Sequence, residues 1–218
     1  MTPSSVHDIR NLALFGHTGG GKTTLVEALL AAAGEIGTPG SVERGDTVAA
    51  FDPQEKAMGH SLHAALVHLE WAGHWINLLD TPGLPDLAGR ALVALPAADT
   101  AVVVINAAAG IESGTRRMMD AAKGKCRLIV INKIDTAGAD HGALMESVIA
   151  TFGRECLPIN LPAADGSRVI DCFFAPDDST ATAFSSPSAA HDAILDQVVE
   201  LDEALMAKYL EQGESLDP

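Results

Sequence analysis

The sequence has few basic side chains for its length. Its 218 residues include 14 Lys and Arg against 29 Asp and Glu, which gives a formal net charge of −15. A surface this acidic repels phosphate backbones at long range, so the composition argues against a patch that binds nucleic acid directly. A small phosphate site remains compatible, because backbone amides and a single lysine can hold phosphates without a basic surface.

Cysteine and long apolar runs are also scarce. The three cysteines, Cys126, Cys156 and Cys172, are far apart and form no Cys-x-x-Cys pair, which predicts reduced thiols rather than disulfides or a zinc site. The first ten residues contain no apolar run of signal-peptide length. The most apolar stretch, residues 101–109, has about half the length that a bilayer span needs. We therefore expect a soluble, cytoplasmic protein without a membrane segment.

Hydrophobic residues are plentiful, at 47% of the chain, and their pattern indicates an α/β fold. Short β-branched runs alternate with longer helical patterns, which is typical of a doubly wound, mostly parallel sheet with helices on both faces. The expected strands are residues 11–15, 66–71, 75–79, 100–106 and 127–132, and the expected helices are residues 22–33, 112–123 and 141–152.

Two details of this pattern make sharper predictions. The runs 100–106 and 127–132 are continuously apolar, as expected for strands buried on both faces. In the helix 22–33 four apolar residues are predicted to lie on one face, and they are Leu25, Ala28, Leu29 and Ala32.

One long segment interrupts the alternation. Residues 34–61 are rich in Gly, Pro and charge and show no clear periodicity. A loop this long in a compact domain is usually functional, so we expect it to take part in the activity.

The pattern changes after about residue 162. A short strand is expected at 169–174 and a long amphipathic helix at 188–212, with an acidic outer face that we interpret as solvated. We therefore divide the chain into a core, residues 1–161, and an appended region, residues 162–218.

A glycine-rich segment lies between the first expected strand and the first expected helix. It matches Gly-x-x-x-x-Gly-Lys-[Ser/Thr] at every position. The backbone amides of such a loop turn inward and form, with the helix N-terminus, a cradle for phosphate. We predict that Lys22 reaches the terminal phosphates and that the Thr23 hydroxyl ligates Mg²⁺. The predicted phosphate-binding residues are Gly16, His17, Thr18, Gly19, Gly20, Gly21, Lys22, Thr23 and Thr24.

A second motif, Asp-Thr-Pro-Gly, ends the expected strand 75–79. Its Asp80 is placed to hold Mg²⁺, commonly through a water. Gly83 has no side chain, so its amide can approach the γ-phosphate.

A third motif, Asn132-Lys133-Ile134-Asp135, follows the strand 127–131. The Asp135 carboxylate can accept two hydrogen bonds from one edge of guanine, a pair of donors that adenine lacks. The Lys133 stem can cover the face of the base. The three motifs in this order predict a P-loop GTPase that binds GTP and GDP, rather than a P-loop kinase or ATPase.

On these motifs the sequence resembles domain I of elongation factor G, in its more divergent branch. The resemblance covers residues 11 to about 210, and it includes residues 76–83, 101–111, 131–135, 157–162 and the helix 199–210. It implies a GTPase that acts on the ribosome in translation. The contact with the ribosome would be made by the full-length protein. It also implies that residues 34–61 are the first switch and residues 83–95 the second. Residues 162–190 would then be a shortened version of the family's insertion in domain I.

The resemblance assigns roles to individual residues. In the family, a Thr of the first switch ligates Mg²⁺ only in the GTP state, and Ser61 keeps a hydroxyl at that position. The implied metal ligands are therefore Thr23, Ser61 and Asp80. The implied catalytic groups are Lys22, Thr23 and Gly83.

Two positions depart from the family. Gly19 stands where the family usually has Asp, and Leu84 stands where the conventional factor has a His that orients the attacking water. Leu84 can neither donate nor accept a hydrogen bond, and positioning is a main catalytic resource in phosphoryl transfer. We therefore predict slow intrinsic hydrolysis. Two alternatives stay open: a switch that binds the ribosome but scarcely hydrolyses GTP, and a relative that protects ribosomes from an antibiotic or acts in termination.

The end of the sequence differs from the family as well. The family carries one more strand after the helix 199–210, with a loop that contacts the guanine carbonyl oxygen. Residues 211–218 do not supply that strand. We therefore expect a chain truncated before the last strand of the domain, with weaker GDP binding and an exposed sheet edge.

Overall fold

The computed structural model describes residues 5–201 and residue 206, and its central feature is a five-stranded sheet. The strands are β1 (Ile9–Phe15), β2 (Ala65–Trp71), β3 (His74–Asp80), β4 (Thr100–Asn106) and β5 (Cys126–Asn132). Their order is β2-β3-β1-β4-β5. β1 runs parallel to β3 and β4, and β4 parallel to β5, whereas β2 and β3 form an antiparallel hairpin. The predicted doubly wound, mostly parallel α/β fold is confirmed.

Four helices accompany this sheet in the first of two compact units, which extends to Lys133. They are α1 (Lys22–Ala32), α2 (Pro53–Met58), α3 (Ala88–Leu92) and α4 (Ser113–Ala121), and short 3-10 helices lie at Val6–Asp8, Pro85–Leu87 and Leu95–Ala97. Helix α2 lies inside the segment 34–61, which we predicted as a loop. Six residues are too few to show a helical period, although Asp52 caps Gln54 N, Pro53 begins the helix and Gly59 ends it with φ 68°.

The hydrophobic core lies where α1 packs on the middle of the sheet. Its buried residues are Leu14, Val26, Leu30, Leu69, Leu78, Val102 and Val104. The prediction of burial on both faces is correct for β4, because its five central residues, from Ala101 to Ile105, are all buried. It is wrong for β5, whose first three residues are exposed. In the part of the chain that the structure describes, β5 lies at the edge of the sheet, so a run of apolar residues is not enough to place a strand in its centre.

The buried face of α1 is not the apolar face that the sequence indicates. Ala28, Leu29 and Ala32 are exposed and Leu25 is half-buried, whereas the buried residues are Lys22, Val26, Glu27 and Leu30. Two charged residues of this helix, Lys22 and Glu27, are turned inward, although charged residues usually lie at the surface.

The second unit begins at Ile134. It contains α5 (His141–Phe152), the antiparallel strands β6 (Asn160–Pro162) and β7 (Val169–Asp171), and α6 (Pro187–Leu201). The predicted helix 141–152 is confirmed. The strand predicted at 169–174 ends early because the Asp171 carboxylate accepts hydrogen bonds from the backbone of Phe173, Phe174 and Ala175 and turns the chain.

The predicted helix 188–212 begins at Pro187, and its part beyond Leu201, except residue 206, lies outside the described residues. The division of the chain at residue 161 stays a prediction. None of the described helices is long and apolar enough to cross a membrane.

Candidate functional site

The glycine-rich loop joins β1 to α1 and leaves the start of α1 open to an anion. Gly21 precedes the helix with φ 92°, and no side chain caps the helix at this position, so its first amides lack helical partners. Glycine is needed here because a Cβ on Gly21 would overlap the Asn132 side-chain amide. A Cβ on Gly16 would overlap the carbonyl oxygen of Val104 in β4. The loop thus has the backbone geometry of a phosphate cradle.

Lys22 is held inside this loop by its own backbone. The ammonium Nζ donates to the carbonyl oxygens of Gly16 at 2.9 Å and His17 at 3.1 Å, and the residue is only 6% exposed. Burial lowers the pKa of Lys22 from its ordinary value, and the nearby charge of Asp80 opposes that shift. An anion bound in the loop would favour the charged form of this lysine and compensate its lost hydration.

Thr23 and Asp80 form the part of the site that fits a divalent cation. The Thr23 hydroxyl donates to Asp80 Oδ2 at 2.6 Å, and Asp80 is 1% exposed. Burial raises the pKa of Asp80 to about 6, against the opposing effects of the Thr23 hydrogen bond and the Lys22 charge. Its other oxygen, Oδ1, is buried without a hydrogen-bond partner among the described residues. A hydroxyl beside a carboxylate with an unsatisfied oxygen is the donor chemistry that Mg²⁺ takes in phosphate sites.

A cavity of about 190 Å³ lies in front of the loop and contains most of the predicted site. Ser61 lines this cavity together with Thr23, so the structure brings two of the three predicted metal ligands to one space. The other lining residues are Thr18, Gly19, Gly21, Lys22 and Thr24 of the loop, Val42, Glu43, Gly45, Ala50, Glu55, Lys56, Gly59 and His60 of the segment 34–61, and Gly83 and Lys133.

Gly83 touches the phosphate loop, whereas Leu84 faces a different cavity. The Gly83 carbonyl oxygen accepts a hydrogen bond from Thr18 N at 3.0 Å, and a Cβ on Gly83 would lie 2.5 Å from Lys22 Nζ. Leu84 lines a neighbouring cavity of about 340 Å³ with His17, Arg117 and other residues, and it is not among the residues that line the smaller one. No polar side chain therefore enters the phosphate cavity from position 84.

His17 has contacts that explain its place in the loop. Its Nδ1 lies 2.9 Å from the Thr18 carbonyl oxygen and 3.5 Å from Glu112 Oε1. These contacts fix the ring beside the larger cavity, so His17 supports the loop from outside the smaller cavity.

The third motif begins against the phosphate loop. Asn132 Nδ2 donates to the Gly20 carbonyl oxygen at 3.0 Å, which ties the end of β5 to the loop. Lys133 has a positive φ of 58° and lines the phosphate cavity. Asp135 belongs to the second unit, and its pairing with guanine stays a prediction.

The family of the chain follows from a comparison with known proteins. The model of the elongation factor Tu GTP binding domain matches residues 7–215. The chain belongs to this family. The match contains the three motifs and the whole sheet, and the predicted resemblance to an elongation factor G-like GTP-binding domain is confirmed.

Individual relatives agree with this GTP-binding domain over most of its length. An elongation factor G-like protein of Mycobacterium tuberculosis is 36% identical over 222 residues, covering 96% of the chain and 31% of the relative. Elongation factor G 2 of Streptomyces coelicolor is 38% identical over 164 residues, covering 74% of the chain and 24% of the relative. A mitochondrial ribosome-releasing factor 2 of Kluyveromyces lactis is 30% identical over 162 residues, covering 74% and 20%.

A solved structure shows the same fold. The crystal structure of a Thermus thermophilus protein superposes with a TM-score of 0.81 at 36% identity, covering 94% of this chain and 33% of that one. The chain spans about a fifth to a third of the length of these relatives.

Sequence reasoning missed two buried acids of the GTP-binding domain. Glu27 in α1 is fully buried, and its Oε2 accepts from Gly40 N at 2.8 Å while its Oε1 accepts from Val48 N at 2.6 Å. Glu55 in α2 is 4% exposed. Both acids hold the backbone of the segment 34–61 or the residues after it. Nothing in the sequence distinguishes them from surface carboxylates, because their partners are backbone amides, which no side-chain pattern marks.

Proposed function

We propose that this domain binds GTP and GDP together with Mg²⁺ and hydrolyses GTP slowly by itself. The observation that carries the proposal is the cluster of Lys22, Thr23 and Asp80 at the phosphate loop, with the orphaned Oδ1 of Asp80. A turn with a purely structural role would not need a buried lysine, a hydroxyl and a carboxylate next to a loop that can bind an anion.

Each group has a defined task in this proposal. Lys22 and the first amides of α1 bind the phosphates, and the Gly83 backbone closes the site from the second switch. Thr23 and Asp80 hold Mg²⁺, and Ser61 adds its hydroxyl in the GTP state. The bound cation would supply positive charge to the terminal phosphates, where negative charge is concentrated.

The proposed hydrolysis is slow because no side chain at position 84 orients water. Leu84 offers only methyl groups and lies beside the larger cavity. The remaining catalytic resources are the electrostatic contacts of Lys22, Thr23 and the Gly83 backbone, which stabilise charge without aligning a nucleophile.

Guanine selectivity is assigned to the third motif. Asp135 would accept hydrogen bonds from the ring N–H and the amino group of guanine, while the Lys133 stem covers the base. Adenine would leave the carboxylate without these donors, and an unmatched polar contact costs affinity.

We further propose that a longer, cytoplasmic protein uses this domain as a switch on the ribosome. The names of its relatives, elongation factor G-like protein and ribosome-releasing factor 2, support a role in translation. A second candidate is a switch that binds ribosomes in the GTP state and scarcely hydrolyses, and Leu84 favours it. Turnover by the full-length protein on ribosomes separates the two, because only the first candidate shows ribosome-stimulated hydrolysis.

The direct test is a titration of the chain with a fluorescent GDP analogue in Mg²⁺, followed by competition with GDP, GTP and ATP. We expect both guanine nucleotides to displace the probe and ATP to leave it bound. Equal displacement by ATP would contradict the role of Asp135. An Asp135→Asn variant is the matched control, since it keeps the shape of the side chain and replaces one acceptor by a donor.

A further inference from the structure

The backbone that follows Ser61 is held by one buried oxygen atom. Glu55 Oε1 accepts hydrogen bonds from Leu62 N at 2.7 Å and from His63 N at 2.9 Å. Glu55 is 4% exposed and lines the phosphate cavity with Ser61. A buried carboxylate with two short amide contacts fixes the backbone firmly, because breaking either contact leaves a polar group unsatisfied.

The same stretch is held from its other side by the second switch. The Arg90 guanidinium donates to the Leu62 carbonyl oxygen at 3.0 Å. Leu62 N belongs to the peptide unit that follows Ser61, and the Leu62 carbonyl and His63 N belong to the next one, so both peptide units are fixed in orientation. The direction in which the Ser61 side chain leaves the backbone is fixed with it.

Glu55 and Glu27 use their carboxylates differently. In Glu55 the single atom Oε1 accepts both hydrogen bonds. In Glu27 one oxygen accepts from Gly40 N and the other from Val48 N. A glutamine has one acceptor oxygen at the same reach. Glutamine can therefore replace Glu55 with both contacts kept, but at position 27 it can keep only one.

We propose that Glu55 is a positioning residue that sets the Ser61 hydroxyl toward Mg²⁺ and thereby favours GTP over GDP. The proposal rests on the function assigned above to Thr23, Asp80 and Ser61. Glu55 acts through its hydrogen bonds to the backbone and not as a metal ligand. In the described part of the chain no three His, Cys, Asp or Glu side chains are grouped so as to hold a metal ion.

The test uses two variants that separate geometry from charge. Glu55→Gln keeps the acceptor at full reach and removes the charge, whereas Glu55→Asp keeps the charge and shortens the side chain by one methylene. The affinities for GDP and for a non-hydrolysable GTP analogue are measured with Mg²⁺ on the 218-residue chain. We expect Glu55→Gln to resemble the wild type and Glu55→Asp to bind the GTP analogue about tenfold more weakly, with GDP binding nearly unchanged.

A Ser61 variant tests whether Glu55 acts through Ser61 or only stabilises the fold. Ser61→Ala is expected to lower the affinity for the GTP analogue as much as Glu55→Asp does. The double variant Glu55→Asp with Ser61→Ala is expected to lose little more affinity for the GTP analogue than either single variant. The two changes remove the same interaction, so their effects should not add. A melting curve for each variant verifies that the compared chains are folded, and Ser61→Ala with Glu55→Gln carries the test if Glu55→Asp does not fold.

Several results would overturn the proposal. If Glu55→Gln is impaired and Glu55→Asp is not, the negative charge matters and the backbone contacts do not. Additive losses in the double variant would show that Glu55 does not act through Ser61. An equal loss of affinity for GDP and for the GTP analogue in Glu55→Asp would also contradict the proposal. A wild-type chain that binds no GDP would instead overturn the proposed function on which this inference stands.

Discussion

The phosphate loop and the segment 34–61 surround one cavity, yet they are built by opposite means. The loop between β1 and α1 is shaped by glycines and holds Lys22 with its own carbonyl oxygens. The segment 34–61 and the residues after it are held by buried carboxylates, Glu27 of α1 and Glu55 of α2. The groups of the phosphate loop lie in one short stretch of sequence, whereas Glu27 holds backbone amides that are 13 and 21 residues away. This difference determines which residues a sequence motif can reveal.

The largest effect is expected from loss of the lysine in the phosphate loop. Lys22→Met keeps the length of the side chain and removes its charge, so the phosphates lose a charge-assisted contact worth about 3 kcal/mol, or roughly a hundredfold in GDP affinity. Fluorescent GDP titration measures it. Lys123→Met is the matched control, since Lys123 is exposed and pairs with Asp120. Similar affinities for the two variants would contradict the role of Lys22.

The second effect is a pH dependence that arises at Asp80, whose pKa is raised to about 6 by burial. A cation needs the ionised carboxylate, so Mg²⁺-dependent GDP affinity is expected to fall by about tenfold for each pH unit below 6. Titrations at several pH values measure it. The Asp80→Asn variant is expected to lose this dependence. A profile that is unchanged in Asp80→Asn would assign it to another group.

In the nucleotide-free chain, Asp80 is expected to make the fold more stable at low pH, whereas low pH weakens nucleotide binding. Because its pKa is higher in the folded chain than in the unfolded one, protonation stabilises the fold. This contribution is fully present below a pH of about 4 and is lost as the pH rises through about 6. Urea denaturation in EDTA across this range, with Asp80→Asn as the reference, measures the change.

A third effect sharpens the contrast between the two buried acids. Glu27→Gln leaves one buried backbone amide without an acceptor, which is expected to lower the free energy of unfolding by about 2 kcal/mol. Glu55→Gln keeps both contacts and is expected to cost less than about 1 kcal/mol. Urea denaturation of the nucleotide-free variants compares them. Equal destabilisation would show that burial of charge, and not the number of acceptors, sets the stability.

The smallest effect concerns hydrolysis. Leu84→His introduces a side chain that can orient water, and we expect about tenfold faster GTP turnover with ribosomes, equivalent to about 1.4 kcal/mol. Steady-state phosphate release by the full-length protein measures it. Leu87→His places the same residue at the end of the 3-10 helix Pro85–Leu87 and should have no such effect. Brisk wild-type turnover that Leu84→His leaves unchanged would mean that another group positions the water.

Much of the fold could be predicted because strands and glycine-bounded helices depend on local sequence. The strands β1 to β5 and the helices α1, α4 and α5 lie within a few residues of their predicted positions. The phosphate loop was predicted because its chemistry needs particular residues at fixed spacing, and the structure brings Lys22, Thr23 and Asp80 together.

The failed predictions share a physical cause, which is that burial depends on contacts between distant residues. The run 127–132 is apolar, but its place at the sheet edge leaves Leu128 36% exposed. The burial of Glu27 could not be predicted, because its partners are the distant backbone amides of Gly40 and Val48. Helix α2 was missed because six residues carry too little periodicity.

We propose above that the cluster of Lys22, Thr23 and Asp80 binds a guanine nucleotide together with Mg²⁺. The most direct measurement is a calorimetric titration of GDP into the 218-residue chain, with Mg²⁺ and then with EDTA, for the wild type and for Thr23→Ala. We predict one GDP per chain in Mg²⁺, much weaker binding in EDTA, and little effect of Mg²⁺ on Thr23→Ala. Absent binding, or binding that is equally tight in EDTA, would contradict the account.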